Sequence, residues 1–348
     1  MMQNRLSFQN YHLDFIQPSG TSRGILTQKE TFLLKCQISG NENIEYFGEA
    51  GLFRGLSADD VPEYETKLKE IVETFDFNNG NWWEELRIFP SIQFGLEQIE
   101  QTIKIYQGKP VGDEFNPTLF PSKFTEGKAG IPINGLIWMG KKEFMIEQIQ
   151  DKLEKGFRCI KLKIGVDWEM EHEILKNLRE KFPAELLEIR VDANGGFSFE
   201  KAKFVLEELH KLEVHSIEQP IKAGQVKEMA ELCDITPTPI ALDEELIGVF
   251  EKLSKKEVIN QIKPQFIILK PSLVGGWKGS QEWIDLANEN QIGWWITSAL
   301  ESNIGLNAIA QWTYTLNSPL PQGLGTGSLF QNNFHSRLKV QGDQLYFV

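Results

Sequence analysis

Residues 159–192 read CIKLKIGVDWEMEHEILKNLREKFPAELLEIRVD, and the fold follows from how this stretch is divided. Its first six residues form a short β-rich run, an amphipathic stretch follows, and LEIRVD (187–192) closes the segment as a second β-rich run. Strand, helical crossover and strand make the unit of a parallel sheet, because parallel neighbours need a crossover of about a dozen residues or more. Side chains two apart on a strand share a face. Lys161 and Lys163 therefore project together on one side, with Ile160 and Leu162 on the other.

The unit repeats outward. INGLIWM (133–139) precedes it, and VHSIE (214–218), PIALD (239–243), FIILK (266–270), GWWITS (293–298) and the weaker QGLGTG (322–327) follow, which predicts eight strands. Their last polar residues fall at Lys163, Asp192, Glu218, Asp243, Lys270 and Ser298, at intervals of 29, 26, 25, 27 and 28 residues. That period suits one βα unit, and eight units close a (β/α) barrel of about 200 residues. A doubly wound open sheet would also alternate, but it does not require a polar group at strand end after strand end.

The chain before the barrel is different. Residues 31–37 and 44–49 read as strands and the segments near 58–75 and 90–106 as helices, with glycine-containing loops at 18–24 and 48–55. The expected fold class is α/β: a modified TIM (β/α) barrel at 126–329 with an α+β N-terminal capping domain at 1–125. Residues 330–348 return to complete the cap, with 337–348 read as a strand.

Composition narrows the partners. A net charge of −13 over 348 residues argues against nucleic acid, since neutralising phosphates needs a basic surface. No apolar run approaches the ~20 residues that span a bilayer, and the opening MMQNRLSFQNYHLDF lacks the basic and apolar regions of a secretory signal. Cys36, Cys159 and Cys233 sit in apolar or strand-like surroundings and read as buried free thiols. The expectation is a cytoplasmic protein with a small-molecule partner, no membrane partner, and an oligomeric state left open.

In such a barrel, catalytic groups come from the C-terminal ends of the strands. Lys161, Lys163 and Lys270 supply ammonium groups there, and Asp192, Glu218 and Asp243 supply carboxylates. Three carboxylates with no Cys or His among them make a hard oxygen site, which suits Mg²⁺, with Mn²⁺ as a substitute. The six charges cancel, a divalent metal adds two, and the balance attracts a dicarboxylate. A lysine crowded by a second lysine and a dication releases its proton more readily. It is then placed to take a proton from a carbon next to a metal-bound carboxylate.

The motifs Lys161-Leu162-Lys163, Asp192-Ala193-Asn194, Ile217-Glu218-Gln219-Pro220, Asp243-Glu244 and Lys270-Pro271-Ser272 together resemble the enolase superfamily over essentially the whole chain. The resemblance implies Lys163 and Lys270 as the acid/base pair and Asp192, Glu218 and Asp243 as the metal ligands; Lys161, beside Lys163 on the same strand face, is the third catalytic candidate. The segments Ser298–Leu306 and Gly323–Gly327 are most similar to a dehydratase branch acting on a ring carboxylate with a succinyl side chain. The dipeptide epimerases carry an Asp-x-Asp at the eighth strand, and this chain has none there. Racemisation of N-succinylamino acids on the same lysines is the alternative, and a barrel that merely binds a dicarboxylate is a third.

Arg23 and the Gly48–Gly55 loop of the cap, with Asn194, Ser298 and Glu301 of the barrel, are further candidates for substrate contact, and Glu244 for support behind them. His215 lies early in its strand and reads as structural. Gly323–Ser328 reads first as a turn, with substrate carboxylate binding as its second reading.

Overall fold

The computed structural model describes residues 4–21 and 24–348. The cap begins with a meander of three antiparallel strands, β1 (Arg5–Thr21), β2 (Gly24–Ile38) and β3 (Asn41–Ala50). Three helices follow: α1 (Tyr64–Thr74), α2 (Trp82–Glu85) and α3 (Pro90–Tyr106). Alternation on β2 decides how they pack. Phe32, Leu34 and Cys36 are buried against Tyr64, Leu68 and Ile71 of α1 and Ile92, Leu96 and Ile99 of α3. Sheet and helix approach so closely that a Cβ on Gly48 would lie 2.1 Å from the Gly95 carbonyl oxygen.

The sequence reading missed β1 and took residues 18–24 as a loop. The structure extends the β1–β2 ladder to Thr21 opposite Gly24, with a register shift between Asp14 and Ser19. That irregularity is where Pro18, which has no N–H to give to a ladder, is tolerated. Much of β1 is exposed, so it lacks the apolar run that marked β2 and β3.

The barrel starts with β4 (Ile131–Pro132) and β5 (Gly135–Ile137), followed by α4 (Lys142–Glu154). Next come β6 (Cys159–Lys163), α5 (Trp168–Lys181), β7 (Glu188–Asp192), α6 (Phe199–Lys211), β8 (Ser216–Glu218) and α7 (Val226–Ile235). The last repeats are β9 (Ile240–Leu242), α8 (Lys252–Ile262), β10 (Phe266–Leu269), α9 (Pro271–Val274), α10 (Gly276–Glu289), β11 (Gly293–Ile296) and α11 (Asn303–Thr315). Strands β5 to β11 form one parallel sheet in chain order. Gln322 and Gly323 close it: Gly323 bridges in parallel to Thr297 and Gln322 to Ile133. The expected eighth strand is thus two residues long, enough to join the first strand to the seventh.

Ile160, Leu162, Ile189, Val191, Ile217, Ile240, Leu242, Ile267 and Leu269 pack outward into the main core with the helices. The opposite faces point into the barrel, where Arg190 stacks 4.2 Å from the ring centre of Trp295.

The C-terminal segment departs from expectation. Phe330 bridges to Phe15 of β1, and Gln331 N–H donates to the Asp14 carbonyl, so the chain does touch the cap. Residues 337–348, however, fold as a hairpin, β12 (Leu338–Gln341) and β13 (Gln344–Phe347), and β13 pairs with β4 of the barrel. The turn at Gly342 and the apolar alternation of Leu345 and Phe347 account for this: both are buried against the barrel core, not the cap.

Two buried cap carboxylates hold cap to barrel. Glu97 of α3 accepts from the Trp277 and Lys278 N–H groups at the start of α10, at 2.5 and 3.1 Å. Glu49 of β3 accepts at the start of α11 from Ser302 N–H (2.9 Å), Ser302 Oγ (2.5 Å) and Gly305 N–H (2.9 Å). Helix N-termini carry unpaired N–H groups and a partial positive charge, so a carboxylate is the side chain they favour.

Candidate active site

Register places the charged residues on one rim. Lys163 of β6 lies opposite Asp192 of β7, which lies opposite Glu218 of β8. Asp243 and Lys270 each stand one residue beyond their strands, β9 and β10. The chain turns sharply after several of these ends: Asn194, Gln219 and Leu300 have φ of 43°, 40° and 60°. Left-handed backbone at such residues costs about 1–3 kcal/mol each, and it clusters at functional sites. Gln219 organises the turns, since its Oε1 accepts from the N–H groups of both Asp243 and Glu245 at 3.2 Å.

The six charges interlock. Lys161 Nζ donates to Asp192 Oδ2 (3.0 Å) and Glu218 Oε2 (2.6 Å). Lys163 Nζ donates to the same Asp192 oxygen (2.6 Å) and to Asn194 Oδ1 (2.8 Å). Lys270 Nζ donates to Asp243 Oδ2 and lies 3.8 Å from Glu218 Oε1. All six are less than a tenth exposed. Charges so buried persist only when paired.

The pairing sets the protonation balance. Burial works against the Lys161 ammonium, but Asp192 and Glu218 outweigh it and hold its pKa above the ordinary lysine value. Asp243 and Glu218 raise Lys270 in the same way. The nearest charges to each of these two lysines are carboxylates, which favour the ammonium form. Burial opposes Asp192 as well, yet Lys161, Lys163 and Lys270 pull its carboxyl well below the usual range. Glu218 is the exception: burial, reinforced by Asp192 and Asp243, pushes it up to about 8.

Among the described residues, no three His, Cys, Asp or Glu side chains stand in a ready-made metal cage. The lysines occupy much of the carboxylates' oxygen surface instead. The donor set nevertheless fits Mg²⁺, which needs one or two carboxylates and keeps waters or substrate oxygens elsewhere. Glu218 Oε1, buried and without a hydrogen-bond partner among the described residues, is an oxygen that a cation would satisfy. A cation there would also relieve the crowding that raises Glu218.

Above the lysines lies a pocket with about 70 Å³ of free internal space. Lys161, Lys163 and Lys270 form its charged side, and Asn134, Thr297, Ser298 and Thr326 contribute neutral polar groups. Leu26, Phe53 and Leu56 come down from the cap; Leu136, Trp138 and Leu300 rise from the barrel. No carboxylate lines this cavity among the described residues.

The sequence-derived candidates separate accordingly. Ser298 lines the cavity, its Oγ 2.6 Å from Thr326 Oγ1. Asn194 serves the site indirectly: it accepts from Lys163 while its Nδ2 donates to Glu244 Oε1 at 3.0 Å. Glu301 does not face the cavity. It is fully buried beneath the rim, accepting from Ser272 Oγ (2.5 Å) and Ala299 N–H (2.7 Å), because the left-handed turn at Leu300 sends the leucine to the cavity and the carboxylate inward. Arg23 lies outside the described residues. His215 is structural, tilted against Phe266 with ring centres 5.0 Å apart. Sequence reasoning missed Leu136 and Trp138 because β5 ends without a charge. It also missed Leu26 and Leu56, which gain meaning only where cap meets barrel.

This fold and rim of charges belong to one class. Residues 145–344 match the enolase C-terminal domain-like family, and the chain belongs to that family. It is 42% identical to the o-succinylbenzoate synthase of Desulfotalea psychrophila, over 98% of each chain. The crystal structure of MenC from Desulfotalea psychrophila LSv54 superposes with a TM-score of 0.84 over 99% of both chains, at 38% identity. A dipeptide epimerase from Enterococcus faecalis V583, complexed with Mg and the dipeptide L-Leu-L-Tyr, shares the fold (TM-score 0.81, 14% identity, 100% of this chain and 97% of that one).

Proposed function

We propose that this protein is a Mg²⁺-dependent dehydratase that converts 2-succinyl-6-hydroxy-2,4-cyclohexadiene-1-carboxylate to o-succinylbenzoate. The observation that carries this reading is the cavity itself, with three lysine side chains, apolar walls and, among the described residues, no lining carboxylate. A ring bearing two carboxylates matches that surface, whereas a free α-ammonium would be buried without a counter-ion. The likeness to o-succinylbenzoate synthase over nearly the full length supports it. In this reading the protein works in menaquinone formation, and its buried free thiols suit the reducing cytoplasm.

Asp192, Glu218 and Asp243 would hold the metal. Bound there, Mg²⁺ (or Mn²⁺) supplies positive charge to the ring carboxylate as it gains enolate character. Lys163, oriented by Asn194, takes the proton from the carbon bearing that carboxylate. It then returns the proton to the departing hydroxyl, so that water leaves and the ring becomes aromatic. Lys270 approaches from β10, across the barrel from β6, as a fixed cation over the ring. Leu26, Phe53 and Leu56 of the cap exclude water from the apolar side.

That opposed placement favours one second reading. Two lysines on opposite sides of an α-carbon can exchange its proton on either face, as racemisation of an N-succinylamino acid requires. The deciding experiment incubates the protein with Mg²⁺ and, in parallel, the cyclohexadiene substrate, N-succinylamino acids and dipeptides. Rapid Mg²⁺-dependent aromatisation is expected. Turnover confined to amino-acid derivatives would replace the first reading with the second.

A further inference from the structure

Two of the cap side chains over the cavity, Phe53 and Leu56, hang from one turn. Leu56 and Ser57 N–H both donate to the Phe53 carbonyl, at 3.0 and 2.8 Å. Phe53 N–H donates back to Ser57 Oγ at 2.8 Å, so residues 53–57 hold together as a unit. Where the chain enters this turn it lies directly on the barrel. A Cβ on Gly51 would stand 2.8 Å from Ser272 Oγ and 3.1 Å from Glu301 Cγ.

Where the chain leaves the turn, Asp59 ties it to the cap. This residue stands just beyond Leu56 in the chain and is fully buried. Its Oδ2 accepts from Ser91 N–H (3.0 Å) and Ser91 Oγ (2.6 Å) at the start of α3. The Ser91 hydroxyl also lies 2.7 Å from Tyr64 OH of α1. Having given its proton to Asp59, it accepts from the tyrosine. Asp59 therefore joins the turn to two cap helices. A second tether runs from Arg54 to Glu30 of β2 (2.5 Å) and to Asp60 (2.8 Å). That guanidinium is 43% exposed, and ion pairs open to water contribute little. The buried tether is the stronger one, because losing the acceptor leaves buried donors without a partner.

We propose that Asp59 is a positioning residue for substrate binding: through Ser91 it fixes the turn at 53–57 against α3, so that Phe53 and Leu56 stand over the cavity before substrate arrives. The inference rests on the cavity being the substrate site. Without this anchor the turn keeps its internal bonds but swings from the Gly51 end. The roofed state is then a smaller fraction of the molecules, and apparent affinity falls by that fraction. The lysines and carboxylates of the rim belong to the barrel and stay in place. The cost therefore falls on KM more than on kcat.

The test compares Asp59→Ala with Asp59→Asn in the full chain, read by kcat, KM and trypsin cleavage after Arg54. Arg54 and Gly55 form the exposed outer part of the turn, so cutting there reports its release. Asp59→Ala should raise KM about tenfold, with kcat within about threefold of wild type. Cleavage after Arg54 should be about tenfold faster without ligand, and o-succinylbenzoate should slow it. Asp59→Asn keeps an acceptor oxygen for both Ser91 donors, and should bring KM and cleavage to within about threefold of wild type. If Asp59→Ala does not fold, Ser91→Ala, which removes only the hydroxyl donor, should shift both in the same direction by about threefold. Unchanged KM in the variant that folds, a loss confined to the thermal midpoint, or Asp59→Asn as poor as Asp59→Ala would overturn the inference. Cleavage needs no substrate. An inactive wild type would therefore count against the proposed reaction, whereas an active wild type with indifferent variants counts against Asp59 alone.

Discussion

At the scale of single residues, the rim works by sharing. Asp192 Oδ2 accepts from two lysines at once, and Glu218 stands between Lys161 and Lys270. Removing one member leaves another buried charge uncompensated, so substitutions here reach beyond their own role. Lys163→Ala should abolish exchange of the substrate α-proton with solvent deuterium, a loss of about 10²–10⁴-fold, while the circular dichroism spectrum stays native. Retained exchange would overturn Lys163 as the base. Glu218→Gln should weaken Mg²⁺ binding measured by calorimetry, since it removes the negative charge of the carboxylate whose Oε1 has no hydrogen-bond partner among the described residues. Unchanged affinity would take Glu218 out of the ligand set.

Among the elements, close approach and helix capping decide how the rim is supported. Strand β3 lies on α3 through Gly48 and Gly95, and a methyl group on Gly48 would collide with backbone, which cannot move as a flexible side chain can. Gly48→Ala should cost about 1–3 kcal/mol of stability, seen as a lower urea midpoint with little change in KM. Glu49 acts between elements too, joining β3 to the start of α11. Glu49→Ala leaves those N–H groups and the Ser302 hydroxyl without their acceptor, and a loss of about 1–3 kcal/mol is expected from the same unfolding measurement.

For the whole molecule, the cap–barrel seam is a layer of buried charge as well as apolar contact. Burial pushes Glu97 up to about 8, against its two backbone hydrogen bonds at α10. A carboxyl whose folded pKa is raised contributes stability that is fully present below its ordinary value of 4.5 and is lost as pH rises through about 8. Between those limits the thermal midpoint should fall with rising pH, and Glu97→Gln should flatten that slope. An unchanged slope in the variant would assign the pH dependence elsewhere. No helix among the described residues is long and apolar enough to cross a membrane.

The sequence by itself determined the barrel, the order of its strands and the residues at their ends. A strand places side chains by a period of two, and a βα unit has a narrow range of length, so both leave a local trace in the chain. Lys161, Lys163, Asp192, Glu218, Asp243 and Lys270 were legible for that reason. The tertiary structure alone decided what those residues meet. It gave each lysine a carboxylate, turned Glu301 away from the cavity through the left-handed Leu300, and sent the last hairpin to β4. It also brought Leu26, Phe53 and Leu56 over a wall formed by Leu136, Trp138 and Leu300. Contacts between residues hundreds of positions apart depend on how cap and barrel close together, and no local period records that.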